Sequence, residues 1–231
     1  EFKKEWMKKD DNKIEEEELK KFFQYMELLL EWNKKMNLTA ITKPEEIILK
    51  HFIDSITISS YIKEKEKVID VGTGAGFPGI PLAIIYPNVS FTLIDALNKR
   101  ILFLEEVIAQ LHLSNVVVKH ARAEDFAKGN REKYDIATSR AVANLPVLLE
   151  YLLPFVEVKG KCICMKGPNI QEELQEAKKA IAVLGGELEK IDYFHLKDTE
   201  IERNNIIIKK VKNTPIEYPR KSGIPSKSPI I

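Results

Sequence analysis

The chain has 231 residues, 44% of them hydrophobic, which suffices for the buried core of one α/β domain with an extension. No run approaches the ~20 apolar residues of a membrane span, and a formal net charge of +1 says nothing by itself about partners. The two cysteines, Cys162 and Cys164, are two apart and would share one face of a strand, a poor arrangement for a disulfide that suits a reducing cytoplasm.

Residues Glu1–Asp11 are charged and lack the apolar stretch of a secretory signal. Residues 13–36 are expected to be helical, with Leu19, Phe22, Phe23, Met26, Leu29 and Leu30 at three- and four-residue spacings. A second helical piece is expected from about Pro44 to Tyr61, with Thr42 as N-cap and Glu45 and Glu46 at the positive end of its dipole. Strands are then expected near 67–71, 90–95, 115–119, 134–138 and 161–166, with helices near 79–86, 98–111, 143–156 and 170–184 between them. This βαβα order implies a mostly parallel sheet covered on both faces. After Gly185-Gly186, two further strands, 187–195 and 205–211, have no crossover helix and must be antiparallel neighbours. A seven-stranded, mostly parallel sheet with an antiparallel last strand is the class I methyltransferase arrangement, a Rossmann-like α/β fold; a plain dinucleotide fold lacks the terminal hairpin. The tail, 213–231, holds four prolines and is expected to be extended. From Lys209 onward six cations face the single acid Glu217. The division implied is 1–62 as a helical extension, 63–212 as the main domain and 213–231 as a basic tail, together one compact unit.

The most informative stretch is Val68-Ile-Asp-Val-Gly-Thr-Gly-Ala-Gly-Phe-Pro-Gly79. An apolar strand ends at Asp70, and Gly72, Gly74, Gly76 and Gly79 crowd the turn before a helix, so a ligand can lie directly on the main chain. The G-x-G-x-x-G spacing alone would suit a dinucleotide. Asp70, expected to face the mouth of the site, opposes a pyrophosphate and favours a ligand with an ammonium and a sulfonium, S-adenosylmethionine. Asp95 ends the second strand, 23 residues after Gly72, and is placed to accept ribose hydroxyls, with Ala96 and Leu97 beside the sugar and adenine. Ala123 and Glu124 lie in what reads as a short acidic loop after the third strand, near the adenine amine. Arg140 follows the fourth strand, where cofactor and substrate meet, and is suited to clamp a carboxylate or phosphate.

The acceptor is less sharply marked. The cysteines lie in an apolar strand and do not suit a nucleophile for cytosine C5. The place after the fourth strand holds Ser139-Arg140-Ala141 and not an Asn/Asp-Pro-Pro-aromatic loop for an exocyclic amine. An acceptor that is already nucleophilic, such as guanine N7, fits best, with carboxylates and small amines left open.

Together these elements resemble the bacterial small-subunit ribosomal RNA methyltransferase G family, also called the glucose-inhibited division protein B family. The resemblance rests on Glu31-Trp-Asn-Lys-Lys-Met-Asn-Leu-Thr39, His51-Phe-Ile-Asp-Ser55, the glycine turn, Asp95-Ala-Leu-Asn-Lys-Arg100, Ser139-Arg-Ala-Val-Ala143, Met165-Lys-Gly167 and Tyr218-Pro-Arg-Lys221. It implies S-adenosylmethionine-dependent methylation of guanine N7 in 16S ribosomal RNA, with Gly72, Phe77, Asp95, Ala96, Leu97, Ala123, Glu124 and Arg140 at donor-binding positions and no established catalytic nucleophile. Candidates for RNA contact are His51, Lys99, Arg100, Lys166, Arg203, Arg220 and Lys221, the tail cations above all because they lack acids nearby in sequence. The expected partner is the small ribosomal subunit or its RNA. No metal, membrane, DNA or second chain is expected. A nicotinamide-dependent oxidoreductase and a ribosome-binding module with a vestigial site are the alternatives from other classes.

Overall fold

The computed structural model describes residues 15–141 and 143–231, so the first two residues of the expected N-terminal helix lie outside the described residues. Helix α1 (Glu16–Met36) buries Phe22, Tyr25 and Leu29, a stripe with helical spacing. Asn37 ends it in the left-handed conformation, φ 47°, and its N–H donates to the Asn33 carbonyl. Beyond it, Asn33 and Thr39 exchange two hydrogen bonds of 2.9 Å, Nδ2–H to the Thr39 carbonyl and Thr39 N–H to Oδ1, which fixes the chain as it leaves the helix.

The next helical stretch starts at Pro44, capped by Lys43 and not by Thr42, because proline at the first helical position needs no N–H partner. It runs as α2 (Pro44–Ile47), a π-helical turn (Ile48–Ile53) and α3 (Asp54–Ile56), and a separate 3-10 turn covers Ser59–Tyr61. The π turn swings His51 and Phe52 inward, and the Phe52 ring meets Phe22, Tyr25 and Phe77.

The sheet follows: β1 (Lys67–Val71), α4 (Gly79–Ile85), β2 (Ser90–Asp95), α5 (Asn98–Gln110), β3 (Val116–His120), α6 (Ala123–Asn130), β4 (Tyr134–Ser139), α7 (Leu145–Leu152), β5 (Val156–Lys166), α8 (Gln171–Val183), β6 (Gly186–His195) and β7 (Glu202–Lys210). The strand order is β3-β2-β1-β4-β5-β7-β6, with β7 antiparallel to both neighbours and the other pairs parallel. The chain steps one way from β1 to β3 and the other way from β4 on, which opens a crevice at the carboxyl ends of β1 and β4. One face of the sheet packs on α1, α4 and α5 through Tyr25, Phe77, Leu93 and Phe103. The other packs on α7 and α8 and includes Cys162 and Cys164, fully buried with their sulfurs 3.7 Å apart on the same face.

Three expectations are corrected. The segment holding Ala123 and Glu124 is the first turn of α6 and not a loop. The helix expected over 143–156 stops at Leu152, turns as 3-10 through Leu153–Phe155, and gives way to β5 at Val156, five residues earlier than expected. The tail is not extended. Arg131 donates to the carbonyls of Thr214, Pro215 and Tyr218, a short helix α9 (Ile224–Lys227) packs by α7, and Ile230 is buried.

Candidate active site

The glycine turn is built from both sides. Gly72, Gly74 and Gly76 have φ of 69°, 63° and 102°, a region that side-chain-bearing residues rarely adopt. A Cβ on Gly76 would stand 2.7 Å from Ile80 Cγ1 and from the Tyr25 hydroxyl, so the back of the turn is closed by α1 and α4. Tyr25 also donates its hydroxyl to the Ala75 carbonyl inside the turn. A Cβ on Gly74 would meet nothing within 4 Å, and Gly72 is exposed. The front of the turn is therefore a bare backbone edge, which is what a close-lying ligand requires.

Asp70 does not face the mouth, as its place in the motif suggests. It is fully buried beneath the turn, where Oδ2 accepts from Thr73 Oγ1 at 2.7 Å and Gly79 N at 2.9 Å, while Oδ1 has no partner. It shapes the turn from below. Burial pushes its pKa up from 3.8 to about 7, against the lowering effect of these two hydrogen bonds. The folded protein thus holds a proton here that the unfolded chain releases near pH 4, so this group makes stability fall as pH rises from about 4 to about 7. His51 acts in the opposite sense. Its pKa is lowered from 6.5 to about 3, first by burial and then by Arg140, so stability gained from its neutral form grows as pH rises from about 3 to about 6.5. The two slopes nearly cancel in the wild type. Asp70→Asn removes one of them, and relative to wild type it is expected to be more stable at pH 8 than at pH 4 by about 4 kcal/mol. Denaturant unfolding of both proteins at the two pH values measures this, and a pH-independent difference would refute it.

Asp95 is 3% exposed and already well bonded. Oδ2 accepts from Gly74 N at 2.9 Å, Oδ1 accepts from Leu97 N at 2.9 Å, and Arg100 Nη1 reaches both oxygens at 3.1 and 3.4 Å. Strand β2 thus ties the glycine edge to Ala96 and Leu97, which are exposed beside it. Ala123 and Glu124 are buried at the start of α6. Phe77 is 4% exposed and sits behind the turn, stacked on His51 at 4.3 Å.

Arg140 does not present a free guanidinium. It lies over Phe77, 5.0 Å from the ring centre, and donates to the Lys50 carbonyl and His51 Nδ1 at 2.8 Å each and to Asp54 Oδ2 at 3.3 Å. With Nδ1 accepting, the ring proton is on Nε2, which donates to Thr39 Oγ1 at 2.8 Å. Arg203 closes the chain from β7, its Nε 3.1 Å from both Asp54 oxygens. Asp54, three residues after His51 on the same side of its helix, organises the cluster; it is not among the candidate site residues named from the sequence, and its signal there is the fourth place of the His-Phe-x-Asp-Ser pattern.

These residues line a cleft of about 410 Å³ together with Ile41, Lys50, Ala141, Met165, Lys166, Gly167 and Glu173. Lys166 is buried there, its ammonium donating to the Ala143 carbonyl at 2.5 Å and Glu173 Oε2 at 2.8 Å. Ala141 joins the two halves. It lines the cleft, and its Cβ is 3.8 Å from where a Cβ on Gly72 would stand. Of the other predicted cations, Lys99 is exposed and donates to the Met36 carbonyl at 3.1 Å. Lys221 is exposed. Arg220 is not a cation without acids, as its sequence surroundings imply: its guanidinium is paired with Glu150, fully buried on α7, with contacts of 2.6, 3.0 and 3.2 Å. Among the described residues no three His, Cys, Asp or Glu side chains group to hold a metal ion, and no helix is long and apolar enough to cross a membrane.

The fold is shared with methyltransferases of distant sequence. M. jannaschii TYW2, solved with AdoMet, superposes with a TM-score of 0.59 at 17% identity over 74% of this chain and 80% of that one. A SAM-dependent O-methyltransferase from Thermotoga maritima gives 0.54 at 17% identity, over 81% and 72%. Relatives in sequence are far nearer. The Ribosomal RNA small subunit methyltransferase G of Acetivibrio thermocellus is 56% identical over 94% of this chain and 90% of its own length, and that of Alkaliphilus oremlandii is 53% identical over 94% and 92%. Residues 18–204, from the first turns of α1 to the start of β7, match the family described as rRNA small subunit methyltransferase G. That span includes the glycine turn, Asp95, the Asp54–Arg140–Arg203 cluster and the cleft between them, and the chain belongs to this family.

Proposed function

We propose that this protein transfers the methyl group of S-adenosylmethionine to N7 of a guanine in 16S ribosomal RNA, acting as a cytoplasmic monomer on the small subunit or its RNA. Family membership supports the donor and the reaction class; the acceptor atom, the monomer and the compartment are our reading. The observation that carries it is the wall shared at Ala141, which sets a bare glycine edge directly beside a polar cleft.

The bound donor supplies an electrophilic methyl on a sulfonium. Residues Gly72–Gly74 would offer the edge for its amino-acid part, Asp95 would accept its ribose hydroxyls, and Ala96, Leu97 and the start of α6 would flank the base. The lone pair of guanine N7 needs no deprotonation, so methylation there would ask no general base of this chain. The cleft matches that requirement. His51, with a pKa near 3 and its Nδ1 occupied by Arg140, is no base at neutral pH, and both Asp54 oxygens are held by arginines. Catalysis then rests on proximity and in-line orientation. Among the candidate cations Lys99 and Lys221 are exposed and could meet phosphates, which would make binding salt-dependent.

Small subunits from cells lacking this modification, incubated with labelled S-adenosylmethionine and then digested, are expected to yield 7-methylguanosine. Another methylated nucleoside would overturn the acceptor, and absence of transfer with donor bound would overturn the reaction on this substrate.

A further inference from the structure

The cleft holds two carboxylates, and only one is spoken for. Asp54 is 3% exposed and both its oxygens receive arginine donors. Glu173, in the first turn of α8, is different. Its Oε2 accepts the Leu145 N–H and the Lys166 ammonium, each at 2.8 Å, which locks the side chain in place. Its Oε1 receives no donor among the described residues, although the side chain is 27% exposed at the cleft wall. A carboxylate positioned by two donors and left with one open oxygen is a fixed acceptor facing the substrate space.

An ionised carboxylate accepts and does not donate. Among the four RNA bases only guanine places two donors, N1–H and N2–H, side by side on its pairing edge. Adenine and cytosine pair one donor with an acceptor there, and the lone donor of uracil sits between two carbonyls. The edge of guanine that carries N7 adjoins the pairing edge, roughly at a right angle to it. A base held by its pairing edge at Glu173 therefore keeps N7 uncovered inside the cleft, whose lining includes Ala141 beside the glycine edge. We propose that Glu173 is the specificity-determining residue of the cleft, selecting guanine by accepting from N1–H and N2–H, with Lys166 as the positioning residue that holds its carboxylate. This rests on the guanine N7 reading above. It further requires the target guanine to be unpaired, since a carboxylate can reach that edge only where no paired base covers it.

Glu173→Gln is the direct test. Its amide oxygen is expected to stay with Leu145 N–H and Lys166, which need an acceptor, so the amide NH2 replaces Oε1 and sets donor against donor. Transfer to unmodified small subunits at saturating S-adenosylmethionine is expected to fall roughly 10–100-fold in kcat/KM, with donor affinity near wild type and a lower Tm, because buried Lys166 loses its counter-charge. Guanosine monophosphate is expected to inhibit the wild type at about tenfold lower concentration than inosine monophosphate, which lacks the N2 amine, and the variant is expected to lose that preference. Wild-type discrimination between the two nucleotides needs no variant, so the proposal stays testable if Glu173→Gln folds poorly. Equal inhibition of the wild type by both nucleotides, or a variant with wild-type transfer and preference, overturns the role of Glu173 while 7-methylguanosine remains the product. A wild-type product other than 7-methylguanosine overturns this role together with the acceptor reading.

Discussion

Arg220→Ala is expected to lower the unfolding free energy by about 3–5 kcal/mol, the cost of leaving one member of a buried ion pair without its partner. Glu150 is fully buried on α7 and accepts from the Arg220 side chain and from the Arg220 backbone N–H, the latter at 2.8 Å. The alanine variant keeps the backbone bond and loses the counter-charge. For a chain of this size the change corresponds to a fall in Tm of roughly 6–20 °C, which thermal unfolding measures directly. Replacing both partners by apolar residues of similar volume is expected to recover most of the loss; no recovery would mean that Arg220 acts on something besides Glu150. The neighbouring Lys221→Ala, at an exposed position, is expected to leave Tm nearly unchanged while weakening RNA binding and reducing its salt slope by about one. A tail-cation variant that combined the two would confuse a folding defect with a binding defect.

Gly74→Asp is expected to have the largest effect on the donor, a loss of affinity of at least about 100-fold, or ~3 kcal/mol. The fold should tolerate it. A Cβ at this position meets nothing within 4 Å, and a φ of 63° costs an aspartate about 1–2 kcal/mol. The space it enters is the open edge proposed for the donor, and its carboxylate adds a second negative charge at a residue whose N–H already serves Asp95. Gly76→Ala, two residues on, is expected to behave in the opposite way. Its methyl would stand 2.7 Å from Ile80 Cγ1 and the Tyr25 hydroxyl, so it strains the fold first. Calorimetric titration with S-adenosylmethionine beside thermal unfolding separates the two. Unchanged affinity in Gly74→Asp would remove the glycine edge from the donor site.

The parts of this architecture that could be read from the sequence are those with a strong local signal. β1 and β2 begin and end where their apolar runs and the glycine turn place them, and the terminal hairpin follows from two strands with no helix between. Helix α6 is hard to read because it is eight residues long and its buried residues, Ala123, Glu124 and Ala127, include no large apolar side chain. The π turn at Ile48–Ile53 departs from the 3.6-residue period on which such readings depend. The charge partners of the cations are illegible for another reason. Arg203 pairs with Asp54 across 149 residues, and Arg220 with Glu150 across 70, so their local surroundings said nothing about their charge partners. Asp70 was found as an acid before a glycine turn, but which way it points depends on Thr73 and Gly79 folding over it.

The Asp54–Arg203 contact sets an order of assembly. Synthesis proceeds from the N-terminus, so the glycine turn, the helix behind it and Asp95 have all left the ribosome while β7 is still unmade. Arg203 belongs to that last strand, and β7 inserts between β5 and β6. An unfinished chain therefore carries every residue of the proposed donor edge and lacks one wall of the acceptor cleft. The residues of the proposed donor edge are thus all made before the one that completes the wall of the cleft, and that wall needs the whole sheet.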